Sequence, residues 1–215
     1  MNQSLKILHK GIKNIIFDLG GVILNIDYQR SVQAFKNLGL SNFENLYSQA
    51  SQNNIFDLFE TGKISTREFR NELREASQLN LSDIEIDNAW NSMLLDLPQE
   101  RIDFLQKINK KYRIFLLSNT NQIHIEKFIE NIHKQFHENI LDNVFEKVYF
   151  SSQIGYRKPN ADAFQYVLDD SKLLASETFF IDDSQQHVIG AEQAGLHAAL
   201  LDKNHDILQF FRGWI

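Results

Sequence analysis

Five short runs of β-branched, leucine and aromatic residues constrain this 215-residue chain more than any other feature. They lie at Asn14 to Leu19 (NIIFDL), Arg113 to Ser118 (RIFLLS), Lys147 to Ser151 (KVYFS), Thr178 to Asp182 (TFFID) and His197 to Leu201 (HAALL). Runs that are apolar almost throughout and bounded by polar or turn residues suit strands covered on both faces, as a parallel sheet requires. From Arg113 onward they alternate with helical patterns at about 123–136, 161–168, 185–194 and 206–211, which predicts an α/β core with a doubly wound, Rossmann-like parallel sheet. Ligands of such sheets sit beyond the carboxyl ends of the strands. The polar residues that close these runs are therefore the candidates for chemistry.

One segment breaks the alternation. Between Asp27 and Leu97 the apolar residues recur at three- and four-residue spacing, as in Val32, Phe35 and Leu38. Ser65 with Glu68 and Ser82 with Glu85 read as capping boxes, in which each side chain serves an orphan amide at a helix start. The segment predicts a small all-helical domain at 28–97, inserted after the first strand of a discontinuous core at 1–27 and 98–215. Pro98 marks the return from the insert and Pro159 follows a strand end, both places where a rigid bend is useful.

Composition narrows the partners. With 28 acidic and 22 basic residues and a net charge of -6, the chain has no basic block to track a phosphate backbone, so no nucleic acid is expected. It has no cysteine, which excludes disulfides, thiolate metal sites and a cysteine nucleophile. Residues 1–13 lack the apolar stretch of a signal peptide, and nowhere do ~18 apolar residues follow one another, so no membrane span is expected. A cytoplasmic protein, monomeric or weakly homodimeric, is the expectation. Its 17 phenylalanines are read chiefly as core.

Four strand-end segments carry the reactive groups. Asp18 ends the first run and precedes Gly20 and Gly21. A carboxylate can attack phosphorus to form an acyl phosphate when a cation offsets the meeting of two anions. The glycines permit a sharp turn that brings amides near a phosphate, although Asp before Gly-Gly also serves simply to end a strand. Ser118 and Asn119 close the second run with short donors suited to phosphoryl oxygens. Lys158, in GYRKP, supplies an ammonium that would keep a nearby carboxylate ionised. Asp182 and Asp183 end an otherwise apolar run, where burial of charge is costly unless it is paired or metal-bound, and hard oxygen ligands suit Mg²⁺.

In this order and at these places, IIFDLGGVIL, LLSNT, GYRKP and FFIDDS resemble the four motifs of the haloacid dehalogenase-like hydrolase superfamily. The helical insert resembles the cap of the branch that includes an α-glucose-1-phosphate phosphatase and the N-terminal phosphatase domain of epoxide hydrolase. The resemblance implies a Mg²⁺-dependent phosphatase acting on a small phosphorylated metabolite, such as a sugar phosphate, through an aspartyl-phosphate. It implies Asp18 as nucleophile and Lys158 as its catalytic partner. Ser118, Asn119 and Gly21 would bind substrate, and Asp18, Gly20, Asp182 and Asp183 would hold the metal. Gly20 departs from the pattern, because it stands where the superfamily usually has the general acid/base Asp. A slow enzyme, another proton donor such as Asp27, or a different reaction are all compatible with that departure. A non-catalytic phosphometabolite-binding protein and a 2-haloacid dehalogenase are the alternatives. Asp27 also reads as a helix N-cap, His187 as either a helix-surface residue or a neighbour of the metal, and Glu60 and Lys63 as either solvated or part of a lid.

Overall fold

Strands form at all five apolar runs: β1 (Asn14–Phe17), β2 (Arg113–Ser118), β3 (Lys147–Phe150), β4 (Thr178–Asp182) and β5 (His197–Leu200). In this computed structural model, which describes residues 10–40, 43, 55–202 and 205–214, they make one parallel sheet in the order β3-β2-β1-β4-β5. Most of the N-terminal stretch that lacks a signal pattern, and part of the helical insert, lie outside the described residues. The chain winds outward from β1 through β2 to β3, then returns to the other side of β1 for β4 and β5. The winding thus reverses between β1 and β4, and the crevice at their carboxyl ends is where such a sheet receives a ligand.

The strict alternation of side chains along a strand divides the core. Ile15, Phe17, Ile114, Leu116, Phe179 and Ile181 point to one face, where they pack with Ile102 and Leu105 of helix Gln99–Ile108 and with the C-terminal Phe211 and Trp214. Ile16, Phe115, Leu117 and Phe180 point to the other, against Phe164 and Val167 of helix Ala161–Ser171 and Ala191 of helix Gln185–Gln193. All ten strand residues are buried to 1% exposure or less, and each large side chain so placed contributes about 1.5–3 kcal/mol to burial. Double coverage explains why β1, β2 and β4 read as continuous apolar runs; the edge strands β3 and β5 depart from that expectation, β5 having only half-buried and exposed residues.

Between β1 and β2 the chain forms helices Tyr28–Asn37, Ile55–Glu60, Thr66–Ser77 and Asp83–Asn91 before it reaches Gln99–Ile108 on the sheet. The first four share an apolar cluster of their own around Phe35, Phe43, Phe59, Phe69 and Trp90. Phe59 stacks on Phe69 with ring centroids 4.1 Å apart, as Phe35 does on Phe43. Both capping boxes form, Ser65 with Glu68 and Ser82 with Glu85, and Asp27 caps the first helix by accepting from the Gln29 amide at 3.0 Å.

The insert is joined to the core at defined points. Its two connecting segments pair antiparallel, with the Asn25 amide donating to Asp96 O at 3.0 Å and the Leu95 amide donating to Asn25 O at 3.0 Å. Ile123, on the core helix Gln122–Phe136, completes the insert's apolar cluster. Gly62 lies against the main chain of Ser152, where a Cβ would come within 2.1 Å of the carbonyl oxygen. Among the described residues no helix is long and apolar enough to cross a membrane.

Gly190 connects the packing to the site. The run of small residues at Gly190 and Ala191 suggests close packing on the sheet; Ala191 does pack there, but Gly190 faces the Pro159 carbonyl, 2.2 Å from where its Cβ would stand. The obstacle is backbone, so it cannot rotate away. Gly190→Ala is expected to cost roughly 1–3 kcal/mol as overpacking, read from urea unfolding. It should also displace the segment carrying Lys158 and lower activity beyond what the loss of folded protein explains.

Candidate active site

The carboxyl ends of β1, β2 and β4 deliver Asp18, Ser118 and Asp182 to one crevice, and the loop after helix Ser151–Ile154 brings Lys158 into it from the β3 side. The Asp18 amide continues the sheet ladder by donating to Ile181 O at 3.0 Å, which fixes the nucleophile candidate to the sheet's rigid centre.

Lys158 is fully buried, and its ammonium donates to Asp18 Oδ1 at 2.6 Å and to Asp182 Oδ2 at 2.7 Å. Burial alone would lower its pKa, but the two carboxylates outweigh that and hold it above its ordinary value. Asp182 is buried too, yet Lys158 and a hydrogen bond from His187 overcome desolvation and hold its carboxyl down at about 2. Its oxygens are heavily committed: Oδ1 accepts from the Ser184 amide at 2.8 Å, and His187 Nδ1 lies 3.0 Å from both. His187 is therefore engaged with Asp182 rather than standing as a solvent-facing helix residue.

Asp18 has the opposite bias. Desolvation pushes its carboxyl up to about 7, with Lys158 pulling against this and Asp182 and Asp183 adding to it. Asp183 is also raised, first by burial and then by Asp182. Asp18, Asp182 and Asp183 each place an oxygen within 4.8 Å of the others. Three acids gathered on one ammonium leave uncompensated negative charge, and an all-oxygen set of this kind fits a hard divalent cation.

The glycines after Asp18 differ. Gly21 has φ +77°, and a Cβ there would stand 2.3 Å from Asp183 Oδ2. Its amide donates to Leu24 O at 2.9 Å. Gly21, which the sequence assigns to substrate binding, gives its amide to Leu24 and by lacking a side chain makes room for Asp183. Leu19 O is likewise occupied, accepting from the Ile23 and Leu24 amides, whereas Gly20 lines the cavity.

At the end of β2, Ser118 faces the cavity with no side-chain hydrogen bond among the described residues. Asn119 behaves otherwise. Its Nδ2 donates to Lys158 O and its Oδ1 accepts from the Lys158 amide, both at 2.9 Å. Its amide group is thus a two-point clamp on the Lys158 main chain. Ser151, which the sequence reading did not single out, ties down the next turn by accepting from the Thr120 amide at 2.9 Å and donating to Thr120 O at 3.0 Å.

The cavity over these groups is about 320 Å³, with Asp18, Ser118 and Asp183 on its floor and Tyr28, Glu60 and Trp90 from the insert above. A larger groove of about 550 Å³ beside Tyr112 and Arg113 lies at the amino ends of the strands, away from the carboxylates. Inside the cavity, His124 stacks on Trp90 at 4.8 Å between centroids, its Nδ1 is 2.9 Å from Asn91 Oδ1, and burial pushes it down to about 3, so it is a neutral imidazole. Glu60 is mostly buried, with Oε2 3.1 Å from Arg157 Nη2, while Lys63 is exposed. Arg157 also pairs closely with Asp57, so both acids of one insert helix meet the residue before Lys158. The sequence leaves Glu60 open as either a solvated residue or part of a lid; the structure puts it on the cavity wall.

Residues 12–195 match the family of haloacid dehalogenase-like hydrolases. A D-ribitol-5-phosphate phosphatase of Bacteroides thetaiotaomicron is 35% identical over 182 residues, 84% of this chain and 88% of that protein. The crystal structure of a HAD family enzyme of the same organism, in complex with magnesium and inorganic phosphate, superposes with a TM-score of 0.84 at 36% identity, covering 94% of this chain and 100% of that one. The structure of a predicted HAD-like family hydrolase of Porphyromonas gingivalis gives 0.81 at 33%, covering 94% and 97%.

Removing the charge of Asp182 tests the triad without a substrate. Asp182→Asn leaves Lys158 buried with one anionic partner, for an expected loss of about 3 kcal/mol in urea unfolding. The pH dependence has a definite sign. A carboxyl held at about 2 when folded and near ~3.9 when unfolded stabilises the fold above the higher value, and that stabilisation fades as pH falls from one to the other. Acid unfolding should accordingly be less steep over that interval in Asp182→Asn than in the unmodified protein.

Proposed function

We infer the reaction from two premises: the chain belongs to the haloacid dehalogenase-like hydrolase family, and a buried ammonium, three acids and an open hydroxyl converge on one cavity. It is a Mg²⁺-dependent phosphatase that hydrolyses a small phosphorylated metabolite, a sugar phosphate, by way of an aspartyl-phosphate. The observation that carries this reading is Lys158 held between Asp18 and Asp182.

Asp18 is the nucleophile. Its second oxygen is not claimed by Lys158, and its ionised form is favoured by that ammonium. Lys158 also offsets the charge of the incoming phosphoryl group. Ser118 Oγ holds a phosphoryl oxygen, and Asn119 positions Lys158 through its main chain. Asp18, Asp183 and the Gly20 backbone hold the Mg²⁺, and Asp182 supports the site chiefly through Lys158. The bound ion neutralises the carboxylates and phosphate oxygens that Lys158 alone leaves uncompensated. Residues 28–97 act as a cap over a core of 1–27 and 98–215, closing the cavity so that water is excluded around the reacting groups.

A cavity of about 320 Å³ under the cap suits a free metabolite rather than a phosphoprotein, and the net charge of -6 disfavours nucleic acid. The reading is of a cytoplasmic enzyme that works as a monomer or weak homodimer. The acid cluster gives it the advantage over a dehalogenase, which needs no metal, and over a binding protein, which needs no nucleophile poised beside Lys158.

The test is phosphate release from a panel of alditol, sugar and nucleotide phosphates, with Mg²⁺ or with chelator. Release that requires Mg²⁺, favours the alditol and sugar phosphates and falls by at least ~10⁴ in Asp18→Asn is the expected outcome. Mg²⁺ should also raise the melting temperature of the chelator-treated protein, and by less in Asp183→Asn, since binding to the folded state alone is stabilising. Absence of release from every member would sink the reading.

A further inference from the structure

We propose that Glu60, carried on the helical insert, is the acid that protonates the departing alkoxide, in place of the carboxylate that Gly20 lacks. The proposal rests on the phosphatase reading above.

The other acid/base side chains that line the cavity are otherwise engaged. Asp18 is the nucleophile and Asp183 belongs to the cation site. His124 is a buried neutral imidazole with no proton to spare near neutral pH. His187 is tied to Asp182. Tyr28 offers a phenol, a class of acid that matches a leaving-group donor less well than a carboxyl group, because such a donor works best near the operating pH. Asp27, the alternative raised by the sequence, gives its side chain to the Gln29 amide and does not line this cavity.

Glu60 has both the place and the charge state. It lines the cavity that has Asp18 at its floor. Its Oε2 stands 3.1 Å from Arg157 Nη2 as an ion contact, yet that buried oxygen makes no hydrogen bond among the described residues. Arg157 is shared with Asp57, which takes the closer contact, and Lys158 is already committed to Asp18 and Asp182. One guanidinium therefore stands against two carboxyl groups. The Asp57 side chain is 49% exposed and that of Glu60 13%, so the proton that relieves the excess charge belongs on Glu60. In agreement, burial pushes its carboxyl up to about 7, with Lys158 pulling against it.

The steps balance. As an Asp18 carboxylate oxygen bonds to phosphorus, the ester P–O bond breaks and its electron pair stays on the alkoxide oxygen. That oxygen takes the Glu60 proton and leaves as a neutral alcohol. The Glu60 carboxylate so formed lies beside Arg157, which stabilises it between the two half-reactions. Water then attacks phosphorus, Glu60 takes back a proton from it, and the Asp18–phosphorus bond breaks to return inorganic phosphate and the free carboxylate.

The experiment compares Glu60→Gln with the unmodified protein on two esters, ribitol 5-phosphate and p-nitrophenyl phosphate, reading alcohol or phenolate release in the first turnover. An alkoxide needs a proton to leave, whereas p-nitrophenolate leaves as a stable anion. Glu60→Gln should slow first-turnover release from ribitol 5-phosphate by about 10²–10⁴ and from p-nitrophenyl phosphate by no more than about threefold. Equal effects of Glu60→Gln on both esters, or no effect on either, would overturn the proposal. If the unmodified protein cleaves neither ester, the phosphatase reading itself fails; if it cleaves both and Asp18→Asn cleaves neither, that reading stands whatever Glu60→Gln does.

Discussion

The buried Lys158 ammonium is the interaction on which the rest of the site depends. An unpaired charge at that depth would cost several kcal/mol, so its position is fixed by the two carboxylates it must keep. Those carboxylates end two adjacent strands of the sheet, and the lysine thereby ties β1 to β4 at the point where the winding reverses. Its main chain is clamped by Asn119 from the end of β2. A single residue thus draws three strand ends into a fixed arrangement, and the Asp18 carboxylate is placed by sheet geometry rather than by a loop.

The same ammonium accounts for the uneven treatment of the acids. Asp182 has Lys158, His187 and a backbone amide, and is held ionised well below the ordinary carboxylate range. Asp18 shares the lysine but lacks the other two, and Asp183 has neither the direct contact nor full burial. The charge left over therefore resides on Asp18 and Asp183, on the side of the cluster facing the cavity. That is the side on which a divalent cation and a phosphate can complete the balance. The fold keeps one carboxylate permanently paired and presents the other two.

How much of this was legible in the sequence follows from where each constraint originates. The central strands β1 and β4 were legible because burial on both faces forces apolar residues along their length, the partly exposed edge strand β5 only because its run is apolar, and strand ends were legible because Asp18, Ser118, Asp182 and Asp183 are the polar interruptions. The helix caps at Asp27, Ser65 and Ser82 were legible because capping is local. Partnerships between distant segments were not. Nothing in LLSNT indicates that the Asn119 amide is used up on Lys158, and nothing in DLGG indicates that the Gly21 amide closes on Leu24. Glu60 reads equally as solvated or as part of a lid until the insert is docked, because its burial is produced by Arg157 and the core beneath it.

Gly20 and Gly21 look equivalent in sequence but are held by different constraints. Position 21 excludes any side chain, since the backbone is left-handed and Asp183 occupies the space. Position 20 does not: a Cβ there would meet only the Ile26 side chain, at 3.1 Å, which is half exposed and able to move. The lack of an acid at 20 is therefore not imposed by the backbone, and its effect is electrostatic. A carboxyl group at that position would add another anion beside Asp18, whose own carboxyl is already pushed up to about 7 by burial and its acidic neighbours. An acid placed across the cavity on the insert avoids that repulsion, and its ionisation is governed by Arg157 and by closure of the insert. With Glu60 as the proposed acid, proton donation would depend on the insert being seated over the cavity, which would couple the proposed chemistry at Asp18 to the enclosure of the substrate.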